Sequence, residues 1–182
     1  MSKAIGMVEY KTVSTGLLAA DTMLKTAQVE ILEAQTVCPG KYIILLKGEL
    51  SAVKASIEAA RLKYREHLID SFVLGNPHDS IFAAIYGAAS VENIKALGIL
   101  ETFSAASIIV AADEAAKSAE VTLIELRIAR GMCGKSYMLL TGEIAAVEAA
   151  IEKAKAAVSE SAMLLDSAII ANPDRKLCES II

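Results

Sequence analysis

Tryptophan is absent and aromatic residues make up only 4% of the chain, which excludes a core organised around stacked rings. The interior must be filled by Ala, Val, Ile and Leu, in a composition that is 54% hydrophobic. Small side chains on helices let backbones approach closely, which suits a chain that packs against copies of itself. No excess of basic charge exists: the formal net charge is −4, which argues against a nucleic-acid partner. The cysteines number three, an odd count, and Met1-Ser2-Lys3 runs straight into Ala4-Ile5-Gly6-Met7-Val8-Glu9. No secretory leader and no disulfide framework are therefore expected, and the thiols should be reduced in the cytosol. Long apolar runs are also missing. Ser107-Ile108-Ile109-Val110-Ala111-Ala112 is cut by Asp113 and Glu114, so no membrane span is expected.

Catalytic signatures are equally scarce. There is no GxGxxG, Walker or GxSxG string. The two histidines, His67 and His78, have no partner at metal or triad spacing. The carboxylates, Glu9 and Glu101 among them, are spread singly and form no evident acid/base pair. The chain is read as a non-enzyme.

What the chain does have is an internal duplication. Ala4-Ile5-Gly6-Met7-Val8-Glu9 returns as Ala96-Leu97-Gly98-Ile99-Leu100-Glu101. At the same offset Ala20-Asp21 matches Ala112-Asp113, Lys25 matches Lys117 and Val29 matches Val121. After a short insertion near Cys38, Gly40-Lys41 matches Gly134-Lys135, Gly48-Glu49 matches Gly142-Glu143, and Ile57-Glu58 matches Ile151-Glu152. Further on, Asp70-Ser71 matches Asp166-Ser167 and Asn76-Pro77 matches Asn172-Pro173. Each copy is domain-sized, with expected domains at 1–90 and 91–182 and a join near Gly87 to Lys95.

Hydrophobic patterning predicts strands at 4–10, 29–37, 41–47 and 68–74, and helices at 14–27 and 51–63. Ser14 is the expected cap of the first helix, and Pro77 is expected to open a short closing helix. The second copy predicts strands at 96–102, 121–130, 135–141 and 162–170, with helices at 105–119, 144–158 and 173–181. Turns are expected at Cys38-Pro39-Gly40 and over 131–134. The order β-α-β-β-α-β plus a terminal helix is an α/β pattern of the ferredoxin-like, α+β kind. Architecture alone gives no function.

Several of these strings resemble the bacterial microcompartment shell protein family. The carriers are the Ile-Gly-Met-Val-Glu strand, the helix Ala20-Asp21-Thr22-Met23-Leu24-Lys25-Thr26-Ala27, Gly40-Lys41 ahead of an apolar strand, and Gly48-Glu49-Leu50-Ser51-Ala52-Val53. Both halves carry the set, in unpermuted order. The resemblance implies two tandem shell (BMC) domains, a homotrimer that imitates a hexamer, and tiling with other microcompartment shell proteins in the cytoplasm. Many members carry an Arg before the proline of the closing helix; this chain has Asn76 and Asn172 there.

Within the family, the resemblance is to the tandem type of propanediol-utilisation shells, which carries a Cys-Pro-Gly-Lys turn, here Cys38-Pro39-Gly40-Lys41. That type implies one 4Fe–4S cluster per trimer in the central pore, shared by three chains through Cys38. It also implies a redox enzyme on the lumen side as a partner. A lone cysteine in a turn is otherwise inert packing, and one chain alone lacks the thiols for such a cluster. The second turn, Met132-Cys133-Gly134-Lys135, is expected near the same pore, with Cys133 either a ligand or a packed thiol. Cys178 reads as packing. Lys25 and Lys117 read either as solvated helix ends or as tile-edge contacts, and Lys41 and Lys135 as charge near the pore or at the surface. An open, metabolite-conducting pore remains the alternative; a soluble ferredoxin-like regulator or enzyme is a third reading.

Overall fold

The computed structural model describes residues 4–91 and 93–181. The expectation about a leader concerned Met1–Lys3, which lie outside that range. The chain forms two compact units. Unit 1 takes the described residues up to Pro77 together with Ser104–Ala106 and Ala129–Gly134; unit 2 takes His78–Phe103, Ser107–Ile128 and the described residues from Lys135 onward.

Unit 1 contains β1 (Ala4–Tyr10), α1 (Val13–Thr26), β2 (Val29–Val37), β3 (Lys41–Gly48), α2 (Leu50–Lys63) and β4 (Leu68–Leu74), with a single 3-10 turn at Arg65–His67. Its sheet has the order β2-β3-β1-β4, antiparallel throughout. This is the ferredoxin-like order expected from the element pattern. Even-numbered residues of β1 and β3 (Ala4, Val8, Ile44, Leu46) meet Ala19 and Met23 of α1 and Val53, Ile57 and Ala60 of α2 in one core. Gly6 sits in the middle of that face. A Cβ there would lie 2.8 Å from both Val53 and Ile57, so the glycine lets helix α2 press onto the strand. The odd-numbered residues Ile5, Met7, Ile43 and Leu45 are fully buried as well, which explains why both strands read as continuous apolar runs.

Unit 2 contains α3 (Ser80–Ile85), β5 (Ala96–Thr102), most of α4 (Ala105–Ser118), β6 (Val121–Arg127), β7 (Ser136–Gly142), α5 (Ile144–Val158), β8 (Leu164–Ile170) and α6 (Arg175–Ile181). Its sheet order is β6-β7-β5-β8, again antiparallel. Helix α5 buries Val147, Ala150, Ile151 and Ala154. Gly98 repeats the role of Gly6, with Val147 2.9 Å from where its Cβ would lie. A second cluster joins Leu97, Ile124 and Ile94 to Val91, Cys178 and Ile181.

Some expected boundaries move. Helix α1 starts at Val13 because Thr12, not Ser14, is its cap: the Thr12 hydroxyl accepts from Thr15 N at 3.4 Å. Pro77 does not open a helix. The chain turns through His78 and Asp79 before α3 begins at Ser80, and α6 likewise begins at Arg175, past Pro173. Strand β6 stops at Arg127, short of 130, because Ala129 adopts a left-handed φ of 56° that breaks the extended run.

Candidate functional site

The two cysteine-bearing turns lie side by side within unit 1. After β2, Cys38, Pro39 and Gly40 reverse the chain, and Gly40 N donates to Val37 O at 2.9 Å. Gly40 has φ +105°, and space is open where its Cβ would project. The Cys38 thiol belongs to a partly exposed residue. The loop 129–134 winds past it through left-handed residues, Ala129 (φ 56°), Gly131 (φ 70°), Cys133 (φ 52°) and Gly134 (φ 84°). Cys38 N donates to Ala129 O at 3.2 Å, fixing one loop against the other. Gly134 is the tightest point: a Cβ there would fall 3.0 Å from Cys38 O and 2.9 Å from Lys41 Cε.

Cys38, Pro39, Gly40 and Lys41 are thus brought together with Met132, Cys133 and Gly134. Cys133 is exposed and Met132 half-buried. Lys135 is half-buried at the start of the stretch that leads into β7. Among the described residues no three His, Cys, Asp or Glu side chains gather to hold a metal ion. One chain therefore brings two thiols to these turns, the half-buried Cys38 and the exposed Cys133, which fits an iron–sulfur cluster of about four ligands only if other chains supply the rest.

Glu9, in the sequence a singly placed carboxylate with no evident partner, is part of the joint between these turns. Its carboxylate is completely buried, Oε1 is 2.8 Å from Lys41 Nζ, and Oε2 accepts from Ala105 N at 2.9 Å. Lys41 Nζ also donates to Gly134 O at 3.2 Å, so one ammonium ties strand β1 to the second turn. Lys41, expected as charge near the pore or at the surface, pairs with Glu9, and its side chain is only 17% exposed. Burial pushes the Glu9 carboxyl above its ordinary range, against the opposing pull of Lys41 and the Ala105 amide. Beside it, Ser104 Oγ donates to Asp70. The one signal for Glu9 in the sequence was its position as the sole charge in an otherwise apolar strand.

Lys25 and Lys117 occupy matching helix ends in unlike surroundings. Lys25 pairs with Asp21 at 2.7 Å, both groups well exposed. Lys117 pairs at 2.5 Å with Asp113, which is buried and also accepts from His78 N at 2.8 Å. Asp113 thereby pins the segment entering α3 onto α4. His78 itself meets Ser80 Oγ through Nδ1 at 2.7 Å, and Cys178 packs in the Leu97–Ile124 cluster.

A model of the BMC domain matches residues 4–77 and again 96–173. The bacterial microcompartment shell protein PduT of Citrobacter freundii is 37% identical over 182 residues, 100% of this chain and 99% of its own length. The carboxysome assembly protein CcmO of Synechococcus elongatus is 25% identical, over 98% of this chain and 68% of its own. A crystal structure of a microcompartment protein from Desulfitobacterium hafniense superposes with a TM-score of 0.85 at 45% identity, covering 98% of this chain and 99% of that one. The fused permuted hexameric shell protein MSM0275 shares the fold, with a TM-score of 0.66, 23% identity and coverage of 87% and 82%. Two copies of the domain, repeated sheets of one topology and full-length likeness to a shell protein lead to one conclusion: this chain belongs to the BMC-domain family of bacterial microcompartment shell proteins.

Proposed function

We propose that the chain is a trimeric tile of a microcompartment shell in the bacterial cytoplasm, with its paired turns around a central pore and a 4Fe–4S cluster held there by Cys38 from each of three chains. The observation that carries this reading is the Cys38 turn itself. It presents a partly exposed thiol, it is braced by the second turn through Ala129 O, and it lies in a chain that matches PduT from end to end. A cubane cluster takes about four ligands, so three thiolates leave one iron for a water or another small ligand. The chemistry such a group supplies is one-electron transfer across the shell, with a redox enzyme on the lumen side as partner, or delivery of the cluster itself. The chain's own part is to hold each thiol on a stiff turn and to set the spacing of the turns through Lys41 and Gly134. Nothing in this role asks the tile for a catalytic group.

Anaerobic purification tests the reading. A brown protein with iron and labile sulfide near one cluster per three chains, lost in Cys38→Ser, supports it. A colourless trimer that takes up no iron after anaerobic reconstitution leaves a tile with an open, metabolite-conducting pore. A stable monomer contradicts the tile itself.

A further inference from the structure

Three groups of the first repeat hold pieces of the second within unit 1. Glu9 accepts from Ala105 N at 2.9 Å, Lys41 donates to Gly134 O at 3.2 Å, and Asp70 accepts from Ser104 Oγ. The internal duplication gives every member of this set a counterpart. The holders Glu9, Lys41 and Asp70 correspond to Glu101, Lys135 and Asp166; the held residues Ser104, Ala105 and Gly134 correspond to Thr12, Val13 and Gly40. Sheet register confirms the match, since Glu9 faces Asp70 across β1 and β4 as Glu101 faces Asp166 across β5 and β8.

The counterparts are not joined to one another in the chain. Among the described residues the side chains of Glu101 and Lys135 form no hydrogen bond or ion pair. Among the same described residues the Asp166 carboxylate accepts from the adjacent Ser167 N and from no other group. The helix start and turn they would hold are uncovered at Val13 and Gly40, with Thr12 half-buried. Val13 is 37% exposed where Ala105 is 0%, and Leu17 is 55% exposed where Ile109 is 0%. One chain therefore carries an idle set of holders and an uncovered apolar helix start of the kind those holders grip.

We propose that Glu101, Lys135 and Asp166 grip the start of α1 and the Cys38 turn of a second copy of this chain, repeating between chains the contact that Glu9, Lys41 and Asp70 make within one. The inference rests on the trimeric reading and adds to it the residues that close the ring. The contact is head-to-tail, with holders on one copy and held residues on the next, which is the geometry that generates rings. Its consequence for the pore is direct: Lys135 of one chain seats Gly40 of the next, so each Cys38 turn is braced on both sides.

The test places cysteines at Thr12→Cys and Asp166→Cys in a chain whose own cysteines are changed to serine, and treats it with a short bis-maleimide. The matched control is Asp70→Cys with Ser104→Cys, which should link within one chain. A denaturing-gel ladder ending at three chains supports the proposal. A trimer by sedimentation whose control pair reacts but which gives no ladder overturns the proposal and leaves the trimer standing. A wild-type protein that sediments as a monomer overturns both. Should the cysteine variants not fold, Glu101→Ala decides: association should weaken at least about tenfold, as expected for a lost charge-assisted hydrogen bond, while Glu160→Ala leaves it unchanged. Unaltered association of Glu101→Ala overturns the proposal.

Discussion

Lys41 and Glu9 form an ion pair of 2.8 Å in which the carboxylate is wholly buried and the ammonium is 17% exposed. Each partner also serves a second group, Lys41 the carbonyl of Gly134 and Glu9 the amide of Ala105. The pair is thus a joint between strand β1, the second turn and the start of helix α4. Removing the ammonium strands a buried carboxylate. Lys41→Met is expected to destabilise the chain by about 3 kcal/mol, toward the low end for broken buried pairs because some water reaches Nζ. Urea denaturation at neutral pH measures this; a loss below about 0.5 kcal/mol, the scale of surface changes, contradicts the joint.

The same carboxylate gives a pH signature. Burial raises the folded-state pKa of Glu9 above 4.5; Lys41 and the Ala105 amide pull it down and Asp70 adds repulsion. A raised value means the folded chain binds this proton more tightly than the unfolded chain does. The group's contribution to stability is therefore complete below its unfolded pKa and is lost as pH rises through the folded value. The stability of wild type relative to Glu9→Gln should be level below about pH 4.5 and fall as pH rises above it through the folded value, at fixed protein concentration. A flat or rising difference contradicts the assignment.

Gly134 combines a φ of 84° with a Cβ position 3.0 Å from Cys38 O. Gly134→Ala is expected to cost about 1–3 kcal/mol, because the left-handed backbone and the crowding act together. Gly131→Ala, with φ 70° and open space around it, should cost less. Thermal melts of the two variants give the order; equal shifts contradict the packing of the two turns.

The matching lysines should separate in mutagenesis. Lys25 lies in an exposed pair with Asp21, so Lys25→Ala should change stability by less than about 0.5 kcal/mol. Lys117→Ala removes the partner of the buried Asp113 and should cost about 1–2 kcal/mol. If Lys25 serves the tile edge, its replacement abolishes assembly into flat sheets, seen by negative-stain microscopy, while the isolated tile stays intact. Normal sheets from Lys25→Ala remove that role.

The fold was legible where local chemistry and burial agree. Strands β1 and β4 match their expected bounds because unbroken apolar runs between polar turns leave little choice, and the duplication checked each element against its twin. The closing helices were placed too early. A proline fits the first turn of a helix, yet the polar stretch after it turns instead, and at His78 the backbone N–H is taken by Asp113 from far along the chain. At the site, the Cys38 turn was visible because Cys-Pro-Gly is local. Glu9 was not, since a strand carboxylate is ordinarily solvated and this one is buried by partners 32 and 96 residues away. The inserted residues around Arg130 were detectable as a gap in the repeat, but not their effect. Arg130 pairs with Glu33 at 3.2 Å, and the left-handed Ala129 before it ends strand β6.

The central claim concerns where Cys38 lies in the assembled tile. A crystal structure of the protein purified and crystallised without oxygen measures this directly. The account predicts three chains around one axis, with Cys38 Sγ from each bonded to iron in a single cluster on that axis. Cys38 at the outer rim, or three Cys38 side chains on the axis with no iron between them in fully reconstituted protein, would contradict it.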